Sequence, residues 1–89
     1  MPAIKRLAWT AAAWDDHVHW QNQDCRQLRR INQLIQACLR DPFEGIGKPE
    51  PLRENMAGCL SRRIDEEHRL VYQLDADLLV ILACRYHSR

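Results

Sequence analysis

The chain has 89 residues, 46% of them hydrophobic, and sets 13 Lys plus Arg against 12 Asp plus Glu for a formal net charge of +1. That length makes residues 1–89 one domain with a single small core, which excludes a large multi-substrate enzyme, and the hydrophobic fraction excludes an intrinsically disordered segment. Near-neutral charge also excludes a protein that coats nucleic acid by bulk attraction, so any nucleic-acid contact must be local.

In chain order, Lys5 to Trp9 reads as a short opening strand that pairs into the main sheet, and Thr10 as the N-cap of a helix running to about Asn22. Trp9 and Trp14 are spaced as a hydrophobic staple. Trp14 and Val18 mark the expected inward face, with Asp15, Asp16, His19 and Gln23 turned to water. Asp24, with Gln27 behind it, forms a capping pair for a second helix. Its stripe of Leu28, Ile31, Ile35, Cys38 and Leu39 recurs every three or four residues as far as Arg40, and Asp41-Pro42 ends it. The segment Asp41 to Pro51, DPFEGIGKPEP, is a Gly- and Pro-rich connector of the kind that carries function.

The period then changes to two. Cys59 to Asp65, His68 to Leu74 and Leu78 to Tyr86 read as strands joined by Glu66-Glu67 and Asp75-Ala76-Asp77. Turns this short join antiparallel neighbours. The expected class is therefore α+β, two N-terminal helices packed on one face of a small antiparallel β-sheet.

No apolar run exceeds the seven residues Leu78 to Cys84, far short of the roughly 20 needed to cross a bilayer. The N-terminal stretch breaks at Asp15-Asp16 and makes a poor signal-peptide core, which predicts a cytoplasmic protein with no membrane partner. Cys25, Cys38, Cys59 and Cys84 include no CxxC pair, and His17 and His19 diverge on a helix; the cysteines are expected to act as small hydrophobes, with no metal site and no cofactor.

Of the 13 cations 11 are Arg, which either reflects GC-rich codon usage or serves anion recognition. Strand alternation puts Cys59, Ser61 and Arg63 on one face, with Arg69, Val71 and Gln73, while Leu70, Tyr72 and Leu74 face the helices. The helix-free face can then gather Arg63, Arg69 and His87 opposite Glu50 in the KPEP loop. Residues alone carry the reading no further than an α+β domain with a candidate anion-binding face. An Arg on a strand is most often solvated or paired, and Glu66 and Glu67 are available partners.

The blocks WDDHVHWQ, INQLI, DPFEGIGKPEPL, SRRIDEEHRLVYQL and ACRYH closely resemble the YoeB group of bacterial toxins, in the RelE superfamily of ribosome-dependent mRNA interferases, over about Leu7 to His87. The resemblance implies the RelE-like microbial RNase fold and a type II toxin that inhibits translation. Such a toxin enters the A site of the 70S ribosome, cuts mRNA there without a metal, and is held inactive by a YefM-like antitoxin. Promoter DNA would be met only through the antitoxin, and a homodimer is implied on the same ground. By position, Glu50 matches the general base, Arg69 the phosphate-stabilising arginine and His87 the general acid. Arg63, Arg53 and Lys48 match RNA-phosphate contacts, with Arg53 standing where relatives carry lysine. Arg62 falls beside this cleft by chain proximity only. Two positions depart from the pattern: Ser88 and Arg89 follow His87 where an aromatic is usual, and Leu60 replaces a Trp. These departures leave an alternative, a catalytically weakened module that works by binding antitoxin and co-repressing their promoter. A stand-alone DNA-binding regulator is disfavoured because neither helix carries a basic recognition face.

Overall fold

A computed structural model describes residues 3–86. Strand β1 (Arg6–Trp9) gives way to helix α1 (Ala11–Gln23) at Thr10, whose Oγ1 accepts from Ala13 N–H at 3.0 Å and so satisfies one of the orphan donors of the first turn. The same hydroxyl donates to Leu82 O at 3.3 Å, tying the helix start to the sheet. Asp24 ends α1 and begins helix α2 (Cys25–Arg40). Its N–H donates to Trp20 O, and its carboxylate accepts from Arg26 N–H and Gln27 N–H. The expected capping pair is thus half made, because the Gln27 amide reaches away to Asp65.

Strand β2 (Glu50–Pro51), a 3-10 turn (Glu54–Met56), and strands β3 (Cys59–Arg63), β4 (Arg69–Asp75) and β5 (Leu78–Ala83) complete the chain. The sheet order is β1-β5-β4-β3-β2. Every pairing is antiparallel except β1 on β5, because two helices separate β1 from the meander and return the chain with its direction unchanged. The sheet is therefore antiparallel with one parallel edge strand. An irregularity at Val71/Tyr72 pairs Val71 with Ala83 and Tyr72 with Ile81, so Leu82 is the extra residue of a bulge.

The helices cover one face, where Ile31, Leu34, Ile35 and Cys38 of α2 and Ala13 and Trp20 of α1 pack on Leu70, Tyr72, Leu79 and Ile81. Burial of these apolar side chains is the main driving force of the fold, about 1.5–3 kcal/mol for each large one. The inward face of α1 differs from the sequence expectation. Ala13 and Trp20 are buried, whereas Trp14 is 47% exposed and edges onto Trp9 at the outer rim, as a staple does. Asp16, expected in water, accepts from Cys84 N–H at 3.1 Å. The run of alanines at the start of α1 carries no apolar contrast from which its face can be read. Among the cysteines Cys38, Cys59 and Cys84 are buried, and Cys25 is exposed rather than packed. Burial, with the Asp16 carboxylate beside it, pushes the Cys84 thiol up to about 12, so it is a hydrophobe and not a nucleophile. No helix among the described residues is long and apolar enough to cross a membrane.

Candidate active site

The Asp41–Pro51 segment owes its path to a buried cation. Arg62 is fully buried, and its guanidinium donates to Asp41 O (2.5 Å), Glu44 O (2.9 Å), Ile46 O (3.0 Å) and the Tyr72 hydroxyl (3.2 Å). Tyr72 in turn donates to Pro42 O at 2.6 Å, and burial pushes its phenol well above the usual range, so it stays a donor. Gly47, at φ +84, lies so close to Leu34, Arg62 and the Arg63 carbonyl that a Cβ there would meet Leu34 Cδ2 at 2.7 Å. Its carbonyl accepts from Arg63 N–H at 2.6 Å, and three residues further on Glu50 and Pro51 pair as β2 with Ser61 and Leu60. Arg62 consequently lies outside the cleft to which chain proximity assigned it. Alternation turns it to the helix side, where it shapes the loop that delivers Glu50.

On the opposite face, Glu50 stands across from Ser61 in the β2–β3 register, and Arg63 across from Arg69 in the β3–β4 register. Arg69 is 5% exposed; its Nε–H donates to Ser61 Oγ at 3.2 Å and its Nη2–H donates to Glu50 Oε1 in an ion pair. The Glu50 side chain remains 53% exposed, so the pair has one buried and one wetted end. Two arginines directly opposite one another repel, a cross-strand pairing a sheet avoids unless an anion lies between or beside them. Here Glu50 supplies that charge at Arg69, while the exposed Arg63 keeps its own. Below them Cys59, Val71 and Ala83, with Leu52 and Met56, form a second small apolar cluster that seats β2 and the following turn.

The structure thus joins Glu50 and Arg69 and aligns Arg63 beside them. Lys48, in the left-handed region at φ 52, and Arg53 are exposed and make no ion pair among the described residues. His87 lies outside the described residues, as do Ser88 and Arg89. The last described residue, Tyr86, accepts from Arg69 N–H at 2.8 Å. Leu60, the Trp replacement, is half-buried against the main core. Two residues of this site escaped sequence reasoning. Ser61 was placed on the correct face but given no role, although a small hydroxyl between cations on a strand is the available signal. His68, buried in the β3–β4 turn, had none beyond its place beside Arg69.

A mixed sheet with two helices on one face, and a carboxylate–arginine pair on the other, is the frame on which the comparisons bear. Residues 9–88 match the family model described as the YoeB-like toxin of bacterial type II toxin-antitoxin systems, which makes the protein a toxin of that class. Toxin YoeB of Escherichia coli strain K12 is 55% identical over 82 residues, covering 92% of this chain and 98% of that protein. The YoeB/ParE toxin from Agrobacterium tumefaciens superposes with a TM-score of 0.89 at 47% identity, over 93% of this chain and 99% of that one. YoeB of Staphylococcus aureus, at 40% identity, superposes both as a dimer (TM-score 0.87; 96% and 99% covered) and within a heterotetrameric YoeB-YefM complex (0.86; 92% and 95%). The chain belongs to the YoeB toxin family.

Proposed function

We propose that this toxin is a metal-independent endoribonuclease that cuts mRNA in the A site of the 70S ribosome and so stops translation. The observation that carries the reading is the Glu50 carboxylate meeting the buried Arg69 guanidinium over Ser61, on the sheet face that the helices leave open. In the reaction the ribose 2'-oxygen attacks the adjacent phosphorus and the bond from phosphorus to the 5'-oxygen breaks. Glu50 takes the 2'-hydroxyl proton and His87 gives one to the departing 5'-oxygen. The products are a 2',3'-cyclic phosphate and a 5'-hydroxyl end. Arg69 holds the charge that builds on the phosphoryl oxygens, with Arg63, Arg53 and Lys48 as further phosphate contacts. Arginine's planar fork suits this, because the donors that serve Glu50 in the free protein are those a phosphate needs.

The protein acts in the cytoplasm and its restraining partner is a YefM-like antitoxin, through which alone it meets promoter DNA. It forms a homodimer, as the YoeB relative from Staphylococcus aureus does. The test is cleavage of ribosome-bound message in a translation extract. Wild type cuts, and Glu50→Gln and His87→Gln lose at least about 10²-fold, the typical contribution of one general acid or base. Intact message at wild-type concentrations that saturate ribosomes would sink the enzyme reading and leave the antitoxin-binding, co-repressing module in its place.

A further inference from the structure

The two ends of the buried Arg69 guanidinium are committed differently. Nε–H donates at 3.2 Å to the hydroxyl of Ser61, itself fully buried, so this end is fixed by the sheet. Nη2–H donates to Glu50 Oε1, and the Glu50 side chain stands half in water. An ion pair with one dry, fixed member and one wetted member opens from the wetted side. Water can take up the carboxylate, whereas the guanidinium has no such exit and loses its counter-charge where it stands.

The backbone beneath Glu50 does not share that freedom. Glu50 pairs with Ser61 and Pro51 with Leu60, Leu52 N–H donates to Cys59 O at 2.9 Å, and Leu52 packs on the cluster of Cys59, Val71 and Ala83. Pro49 and Pro51 restrict the chain on either side. The carboxylate therefore leaves Arg69 by rotation about its own side-chain bonds, and it stays beside the site once it has done so. Its departure leaves Arg63 and Arg69 directly opposed in the β3–β4 register, neither making another ion pair among the described residues. Like charges so placed repel, and a second anion relieves the repulsion where a neutral ligand does not.

We infer that Glu50 is a tethered competitor for the phosphate subsite: in the free toxin its carboxylate occupies the Arg69 donors that a phosphodiester would take, and so keeps small dissolved anions out. The inference rests on the proposed function for the ligand it names, a phosphate group of RNA. A carboxylate carried on the same scaffold acts at an effective concentration of about millimolar or above, so a dissolved phosphate of comparable intrinsic affinity is excluded below that level. A diester held in place by a larger assembly competes on equal terms, because it too is presented at high effective concentration. Glu50 then has two duties in sequence, closing the subsite and, once displaced, taking the proton assigned to it above.

Binding of inorganic phosphate to the full chain tests this, followed at the Arg69 Nε–H resonance so that events elsewhere on the surface are not counted. A subsite that is closed most of the time shows an affinity lowered by the fraction of molecules in which it is open. Glu50→Gln, the variant expected to lose cleavage, should therefore bind phosphate at least about fivefold more tightly than wild type. Glu50→Asp keeps the charge but falls one methylene short of Nη2, and should gain at least about twofold. Thermal unfolding gives a second reading: phosphate should raise the Tm of Glu50→Gln at concentrations that leave wild type unchanged. A smaller gain in Glu50→Gln, or a Tm that ignores phosphate, would overturn the inference. So would Glu50→Asp binding as wild type does, since charge at a distance rather than occupancy would then be what repels the anion. Wild type that leaves ribosome-bound message intact removes the proposed function instead, and the phosphate affinities still decide whether Glu50 competes.

Discussion

Arg62 and Arg69 are buried on opposite faces of the sheet, and their partners separate their duties. A buried guanidinium loses hydration and must recover it from fixed acceptors. Arg62 recovers it from three loop carbonyls and a phenol, all neutral, so it has nothing to exchange for a ligand. Arg69 recovers it from one hydroxyl and one half-exposed carboxylate, and the carboxylate can give way to a phosphate. Arg62→Leu should therefore cost about 3–5 kcal/mol, since it orphans those carbonyls at once and leaves the Tyr72 hydroxyl only its bond to Pro42 O. That is a large part of a total stability of roughly 5–15 kcal/mol. Urea unfolding reads it directly, and a loss under about 1 kcal/mol would mean that water reaches the loop carbonyls after all. Ser61 is the quieter counterpart, fully buried under Arg69 and fixing the plane of its guanidinium through Nε.

At the scale of elements, the β3–β4 turn is closed by Ile64 N–H and Asp65 N–H on His68 O and braced by one carboxylate. Asp65 accepts from Glu67 N–H (2.8 Å) and His68 N–H (2.7 Å) through Oδ1, and from the Gln27 side chain through Oδ2. Burial opposes its ionisation, but the His68 and Glu67 amides and Gln27 outweigh burial and hold the carboxyl below its ordinary 3.8. A depressed folded-state value means that the unfolded chain takes up the proton first. The stabilisation is therefore full above pH 3.8 and drains away as pH falls through the lower folded value. Asp65→Ala should destabilise the protein by about 1–3 kcal/mol at pH 7, and the gap to wild type should close in acid; a gap that stays constant down to pH 2 would refute the linkage. The element pattern was legible where periodicity was strong. The stripe of α2 and the alternation of β3, β4 and β5 were read to within a few residues, because burial on one face imposes the period. What stayed hidden was set by tertiary partners. The strand β2 is two residues, one of them proline, and exists only because Ser61 and Leu60 offer an edge. The α1 face was misread because Trp14 serves the staple and Trp20 the core, a division that spacing alone does not assign. For the site, alternation grouped Ser61, Arg63 and Arg69 on the helix-free face with Glu50 opposite them, whereas the ion pair of Glu50 with Arg69, which depends on a loop shaped by Arg62, was not legible in the sequence.

For the whole molecule, a net charge of +1 decides how the RNA of the proposed function would be met. A nuclease that works on free RNA draws its substrate in with a field spread over one face, and that attraction carries most of nonspecific affinity. Here 12 acidic groups nearly cancel 13 basic ones, and Arg69 is already neutralised by Glu50 in the free protein. A phosphate entering the site must displace Glu50 from Arg69 while keeping it close enough to accept the 2'-hydroxyl proton. A flexible strand would meet that demand only in rare conformations, whereas an mRNA held taut at the A site arrives with its torsions set and its entropy already lost. The proposed mechanism therefore requires the ribosome as a template rather than as a mere address. The same message, stripped of ribosomes, should be cut at least about 10²-fold more slowly at equal toxin concentration, since orientation of this kind is worth that much and more. Lowering the salt should narrow the gap only slightly, because a net charge of +1 leaves little long-range attraction for salt to screen. Naked RNA cleaved at a rate close to that of ribosome-bound message would show that Glu50, Arg69 and His87 are preorganised without help, and the template requirement would have to be withdrawn.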